Sequence, residues 1–267
     1  MPPMRDLSAD NLNPDEVELI EKISLRLVVQ AIVTFGSQAW LEFRDSPDKE
    51  QDIAQDIVRD ALDEMAGFSR RQRVLGTVDY RRSRWLPTPF GLMPQALCVD
   101  AKASQEAYRV NLQLSQISMR PVYWDKSSGR AVVREPGVPA SYLFTFADGQ
   151  TRAAISTTIF VQMVYQAPSK TSGERRLTEA LIVAIPNGKL EQRYAPSAQD
   201  TIWRAGKHSP GRGEEPRTRI SIDALKKKAL WRVQRIRWDR TGKVSCSWID
   251  VGPGDSAVES AVVADAR

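Results

Sequence analysis

The chain has almost none of the residues that carry soft-metal, thiol and imidazole chemistry. Across 267 residues there is one histidine, His208, and two cysteines, Cys98 and Cys246, far apart in sequence. A structural zinc site takes about four such ligands, so that class is excluded. A disulfide scaffold and a Cys-x-x-Cys redox centre go with it. A His-dependent triad would rest on His208 alone, and no Gly-x-Ser-x-Gly elbow or cysteine partner supports it. The phosphate-cradling loops Gly-x-x-x-x-Gly-Lys-(Ser/Thr) and Gly-x-Gly-x-x-Gly after a strand are also missing, which disfavours a phosphate-binding metabolic enzyme. Long apolar runs are lacking too. The best candidate, Leu25 to Phe35, falls well short of the ~20 residues that a membrane span requires. No apolar stretch resembling a signal peptide follows Met1, so the expected setting is the cytoplasm.

What is present is charge, unevenly spread. The formal net charge is only +5, yet residues 1–66 carry 15 acidic and 6 basic side chains, a balance of −9. Residues 70–134 and residues 203–240 each carry 12 basic and 4 acidic, a balance of +8 apiece. Two basic blocks far apart in sequence suit a polyanion, and nucleic acid is the natural one, since each neutralised phosphate releases counterions. Two solvated faces kept for solubility would give the same composition.

The patterning predicts an α/β chain, helices first and then a mixed sheet, in one domain over residues 1–251 with a loosely ordered tail at 252–267. Asn13-Pro14-Asp15-Glu16 reads as a capped helix start, with Pro14 at the first helical position and Glu16 three residues after the cap. Val17, Ile20, Ile23, Leu27 and Ala31 follow at helical spacing, predicting one helix to about Phe43. Ser46-Pro47-Asp48 restarts a helix with Ile53, Ile57, Ala61, Leu62 and Met65 on one face, ended by Gly67. Strands are expected at Val74–Tyr80, Ala96–Lys102, Ala153–Gln166, Leu181–Ile185, Arg217–Ile222 and Trp231–Trp238. Pro87, Pro89 and Gly91 mark a loop, Ser104 is placed to cap a helix from Gln105 to about Ile117, and Asp223 to cap a short basic helix. Trp203, Trp231, Trp238 and Trp248 are read as core rather than as stacking platforms. The acidic N-terminal helices, residues 1–66, would repel DNA and are expected to make subunit contacts, leaving 70–240 as the functional core.

Two acid-bearing segments form the sharpest local feature. Asp79 ends one predicted strand and Asp100-Ala101-Lys102 ends the next. Residues i and i+2 of a strand share a face, so Asp100 and Lys102 project together while Ala101 turns into the core. Two carboxylates on one ledge suit Mg²⁺, with the Ala101 carbonyl as a further donor. Such an ion polarises a scissile phosphate and activates water, and Lys102 would hold that water or stabilise developing charge. An edge-strand salt bridge would leave the same short pattern. Asp56 on the preceding helix is a candidate further acid, although an exposed helix carboxylate is the better account. The second feature is the loop Gly206-Lys207-His208-Ser209 with Arg212, followed by Arg217-Thr218-Arg219. Arg217 and Arg219 would point the same way from a strand, as a β-ribbon reading guanine edges in a major groove requires. Lys207, His208, Ser209 and Arg212 would approach phosphates or bases. A mobile basic surface loop is the plainer account.

Val78-Asp79-Tyr80, Arg84-Trp85-Leu86-Pro87, Val99-Asp100-Ala101-Lys102-Ala103-Ser104, Thr158-Ile159-Phe160-Val161, Gln192-Arg193-Tyr194 and Ala205-Gly206-Lys207-His208-Ser209-Pro210 together resemble the SfiI-type restriction endonucleases. The resemblance runs from the first helix to the Trp231–Trp238 strand and is poor over the first 50 residues and after Lys243. It implies a PD-(D/E)xK fold, although Thr77-Val78 replaces the literal proline before Asp79. It implies Mg²⁺-dependent hydrolysis of both strands of double-stranded DNA, with Asp79 and Asp100 as metal ligands and Lys102 as the catalytic lysine. BglI-like relatives imply half-site reading by the positions of Lys207, Ser209, Arg217 and Arg219. The implied target is two GGCC-like half-sites around an unread spacer, cut to 3′ overhangs by a homotetramer that engages two sites in a prokaryotic cytoplasm. The alternative is a sequence-specific DNA-binding protein without nuclease activity, which would not need all of Asp79, Asp100 and Lys102.

Overall fold

The computed structural model describes residues 8–65, 72–73, 79–106, 110–145, 149–168, 173–206, 217–249 and 260–262. Three helices lead, α1 (Pro14–Thr34), α2 (Gly36–Asp45) and α3 (Glu50–Glu64). Strands follow as β1 (Gln72–Arg73), β2 (Tyr80–Thr88), β3 (Gly91–Ser104), β4 (Asn111–Leu112), β5 (Val122–Asp125), β6 (Arg130–Val133), β7 (Ser141–Thr145), β8 (Thr151–Gln166) and β9 (Arg176–Ile185). After the short helix α4 (Glu191–Tyr194) come β10 (Trp203–Ala205), β11 (Thr218–Ile220), α5 (Ile222–Lys228), β12 (Val233–Trp238), β13 (Val244–Trp248) and β14 (Ser260–Val262).

The α1 start is the capping box that the sequence spells. Glu16 N–H donates to Asn13 Oδ1 at 3.0 Å, and Asn13 N–H donates back to Glu16 Oε2 at 2.9 Å. Two of the donors that every helix start leaves unpaired are thereby satisfied. The buried face lies one step round from the expected stripe. Val17, Ile20, Ser24, Val28 and Ala31 are buried, whereas Ile23 and Leu27 sit at the margin. The helix also stops at Thr34 instead of continuing to Phe43, and α2 begins at Gly36. The reason is tertiary. Trp238 Nε1 donates to the Gly36 carbonyl at 2.8 Å, and a Cβ on Gly36 would lie 2.3 Å from Val244 Cγ2. The backbone bends there to lie against β12 and β13.

The main sheet runs β1-β2-β3-β8-β9-β12-β13-β14, with β7 also paired to β8. Among the described residues of this sheet only β3 and β8 are parallel, in register from Gln95↔Ile155 to Ser104↔Val164, and the other pairings are antiparallel. The long central strand β8 is buried over most of its length, as its Ile-, Thr- and Val-rich sequence predicts. One face carries α1, α2 and α3. There Gln95 of β3 donates to Ser24 Oγ of α1 and to Thr157 Oγ1 of β8, both at 2.7 Å, and accepts Arg84 Nε of β2 at 2.6 Å. Ile53, Ile57, Ala61 and Leu62 are buried as expected, and Met65 is half-buried just past the end of α3. The four tryptophans assigned to the core, Trp203, Trp231, Trp238 and Trp248, are all buried. Among the described residues no helix is long and apolar enough to cross a membrane.

Several expectations need correction. Among the described residues of the helix expected over 105–117, namely 105–106 and 110–117, there is only a single 3-10 turn, Leu114–Gln116. Ser104 Oγ accepts Glu106 N–H at 3.0 Å in a local turn, and Asn111–Leu112 pairs with β11, so long-range pairing overrides the local cap signal. The chain from Tyr80 to Thr88 is strand, Pro87 included, and only residues 89–90 turn. The expected strand at 74–78 lies outside the described residues. The strand ending at Ile185 starts at Arg176, and that of residues 217–222 is only Thr218–Ile220. Trp231 belongs to a single turn before β12. The cap of α5 is Ser221, whose side chain accepts Ala224 N–H, rather than Asp223.

Candidate active site

Side-chain alternation along β3 sorts the chemistry. Gln95, Leu97, Val99 and Ala101 turn toward the helices, and Cys98, Asp100 and Lys102 turn to the other face. Tyr80 pairs with Val99, so Asp79, one residue before β2, arrives level with Asp100. The structure therefore brings Asp79, Asp100 and Lys102 together.

Each acid is held by named donors. Asp79 Oδ2 accepts the Ala101 N–H and Oδ1 accepts Gln55 Nε2, both at 2.7 Å. Asp100 Oδ1 accepts Gln116 Nε2 at 2.8 Å and Lys102 Nζ at 3.3 Å. Asp100 Oδ2 is buried and accepts no hydrogen bond from the described residues, although the Lys102 ammonium stands 3.3 Å from it. Asp100 is 1 % exposed and Lys102 37 % exposed at the side chain, so the acid is enclosed and the ammonium reaches solvent. Burial pushes the Asp100 carboxyl up to about 7, Lys102 partly offsets this, and the neighbouring Asp79 carboxylate adds to the rise. A buried bare carboxylate oxygen beside a second carboxylate is a donor set that fits a hard divalent cation. The Ala101 carbonyl, the expected third donor, accepts Gln51 Nε2 at 2.8 Å, while Gln51 Oε1 accepts the Ala103 N–H at 3.2 Å.

Three glutamines around the acids went unread in the sequence. Gln51 and Gln55 stand four apart on α3 and so share a face, a signal that was available beside its apolar stripe. Gln116 has no such signal, because its contact with Asp100 exists only once the chain folds back across β3. Asp56 is half exposed and paired with Arg59 at 2.8 Å, so it is a surface carboxylate rather than a third acid of the site.

Of the residues expected to read DNA, Lys207, His208, Ser209 and Arg212 lie outside the described residues. Arg219 is exposed on β11 between the buried Thr218 and Ile220, and pairs across the ladder with Arg204. Arg217 precedes the strand and is half-buried. Arg219, Arg204 and Lys226 line one cleft of about 380 Å³ together with Ser221 and Asp223. β11 pairs in turn with β4, through Thr218↔Leu112 and Arg219↔Asn111. The stretch from Leu112 to Gln116 thus joins the arginine-bearing strand to the Asp100 carboxylate.

With this geometry in place, comparison with known proteins is informative. A family profile described as "Type II restriction enzyme SfiI" matches residues 19–236. The type II restriction enzyme SfiI of Streptomyces fimbriatus is 38% identical over 232 residues, covering 85% of this chain and 86% of that one. The crystal structure of tetrameric restriction endonuclease SfiI bound to cognate DNA superposes with a TM-score of 0.88 at 34% identity, over 96% of this chain and 97% of that one. BglI bound to its DNA recognition sequence gives a TM-score of 0.66 at 18% identity, over 86% and 92%, a likeness of fold. The expected mixed α/β fold of restriction endonucleases is therefore the observed one, and the chain belongs to the SfiI family of type II restriction enzymes.

Proposed function

We propose that this chain is a Mg²⁺-dependent endonuclease that hydrolyses both strands of double-stranded DNA at an interrupted GC-rich palindrome. The half-sites are GGCC-like, and cleavage within the unread spacer leaves 3′ overhangs. The observation that carries the reading is the buried Asp100 carboxylate, with Oδ2 bare, set against Asp79 and facing the Lys102 ammonium at 3.3 Å.

Asp79 and Asp100 would hold the cation, and Ala101 would add the second lone pair of the carbonyl it shares with Gln51. The cation supplies Lewis-acid polarisation of the scissile phosphate and a water of lowered pKa. Lys102, part exposed beside Asp100, lies where a phosphate entering from solvent would meet it. Its charge then stabilises the negative charge that grows on the phosphoryl oxygens, or its ammonium orients the attacking water. Gln55 and the Ala101 N–H fix both oxygens of Asp79, so the ledge is organised before DNA arrives. Arg217 and Arg219, with Lys207, His208, Ser209 and Arg212, would supply base and phosphate contacts to a half-site.

A palindromic target calls for two-fold pairing of chains. The solved SfiI relative is tetrameric on its cognate DNA, and we extend that homotetramer, engaging two sites, to this chain in a prokaryotic cytoplasm. The test is a plasmid carrying two interrupted GGCC sites, incubated with and without Mg²⁺, beside Asp100→Ala. Discrete Mg²⁺-dependent fragments that vanish in the variant are expected. Binding without cleavage in any divalent metal would instead favour a DNA-binding protein devoid of nuclease chemistry.

A further inference from the structure

Gln116 is buried at 3 % exposure, and both ends of its amide have distinct partners. Its Oε1 accepts the Gln113 N–H at 2.9 Å, which only a carbonyl oxygen can do, so the amide nitrogen is the end that faces Asp100. The single turn that carries Gln116 is clamped from three sides. Gly137 N–H donates to Leu114 O at 2.8 Å, Val138 N–H donates to Ile117 O at 3.1 Å, and Arg81 Nη2 donates to Ser115 O at 3.1 Å. Gly137 is packed so closely that a Cβ there would lie 2.7 Å from Ser115 Cα. The donor aimed at Asp100 is therefore a fixed part of the frame.

Its effect is to differentiate the two oxygens of one carboxylate. Gln116 and Lys102 both bond Oδ1, and Oδ2 is left buried and without a hydrogen bond from the described residues. We propose that Gln116 is a positioning residue, pinning Oδ1 so that Asp100 presents Oδ2 to the divalent cation. This rests on the reading of Asp100 as a metal ligand and assigns which oxygen binds and what holds it. Partners that orient a ligating carboxylate in this way are worth roughly 10–100-fold in metal affinity or activity.

Two substitutions separate this role from packing. Gln116→Met keeps a side chain of similar length but removes the donor. Gln113→Pro removes the N–H that orients the Gln116 amide, together with the exposed Gln113 side chain that caps the turn, and keeps the Gln113 carbonyl that accepts the Gln116 N–H. Gln113 has φ −80°, near proline's own value, and Leu112 before it is extended, as a residue preceding proline must be. Ca²⁺, a hard divalent cation that takes oxygen ligands, is titrated calorimetrically into the full-length wild type, the two variants and Asp100→Ala, with affinity for a duplex in EDTA measured alongside. Expected are a loss of Ca²⁺ affinity of about tenfold or more for Gln116→Met, a smaller loss for Gln113→Pro, and unchanged duplex binding in EDTA. Wild-type Ca²⁺ affinity in Gln116→Met, with binding abolished in Asp100→Ala, overturns the role of Gln116 alone. Wild-type affinity in Asp100→Ala overturns the metal reading beneath it. Should Gln116→Met not fold, unchanged affinity in Gln113→Pro overturns the proposal on its own.

Discussion

Asp100 holds a charge where charge is costly, and its surroundings say how that cost varies with pH. The folded chain lifts its carboxyl from the ordinary 3.8 to about 7, through burial first and Asp79 second. A carboxyl raised on folding stabilises the fold fully below its unfolded value, and that contribution is lost as pH rises through the folded value. Above about pH 7 the metal-free chain therefore carries the whole penalty. Asp100→Asn keeps an acceptor for Gln116 and removes the charge. It should abolish cleavage and yet stabilise the metal-free fold at pH 8 by on the order of 2 kcal/mol, a gain that shrinks toward pH 4. Denaturant melts at pH 8 and pH 5 in EDTA check both signs, and a gain that grew on acidification would refute the burial argument. Glu21 shows the opposite economy. It is fully buried, raised by burial despite the Arg232 guanidinium at 2.6 Å, and it also accepts the Asn187 N–H at 2.7 Å. Arg232→Met would strand that carboxylate and should cost about 3–5 kcal/mol at neutral pH, whereas adding Glu21→Leu should recover most of it. Chemical denaturation of the single and double variants decides the matter. Asp79, Asp100 and Lys102 were legible in the sequence because strand spacing alone puts the last two on one face. Glu21–Arg232 and Gln116–Asp100 were not, since each contact joins segments that only the folded sheet brings together.

At the scale of elements, local rules held where a signal was complete and failed where a distant strand intervened. The Asn13–Glu16 box and Pro14 placed the start of α1 correctly, because every partner lies within one turn. Its end was misplaced, because Gly36 is tolerable inside a helix and the feature that bends the chain there, Val244 of β13, lies far along the sequence. The helix expected over 105–117 fails at its described C-terminal part for the same reason, since Asn111–Leu112 pairs with β11. The break at Gly36 can be tested. Gly36→Ala drives a methyl into the stiff, branched Val244 side chain at 2.3 Å and should destabilise by about 1–3 kcal/mol. Combined with Val244→Ala, the two losses should sum to less than their separate values, because the second change opens the space that the first requires. Additive losses in a double-mutant cycle would place the cause of the break elsewhere.

For the molecule as a whole, the charge asymmetry becomes an arrangement of faces. The acidic N-terminal segment folds as α1, α2 and α3 on one side of the sheet, and Asp100, Lys102 and Gln116 meet on the other. A second chain is the natural neighbour for the exposed side of those helices, where a balance of −9 over residues 1–66 would repel DNA. Removing residues 1–45 would be a poor test of that, since α1 buries Glu21 and much of the core. Charge reversal on the exposed side of α1–α3, followed by sedimentation equilibrium, is the informative one. The basic cleft gives the sharper prediction. Arg219 projects from a three-residue strand, flanked by buried Thr218 and Ile220 and matched to Arg204, whereas Lys226 sits on α5 at the cleft wall. A guanidinium fixed on a strand suits bidentate contact to a guanine edge, and a flexible ammonium suits a phosphate. Arg219→Ala should therefore cost about 1–3 kcal/mol on a GGCC-containing duplex and little on random sequence, and Lys226→Ala should weaken both alike and lower the salt slope by about 1. Competition binding in Ca²⁺ at several salt concentrations measures all four quantities. Equal losses on both duplexes for Arg219→Ala would make it a phosphate contact, and base reading would then fall to the loop between Gly206 and Arg217.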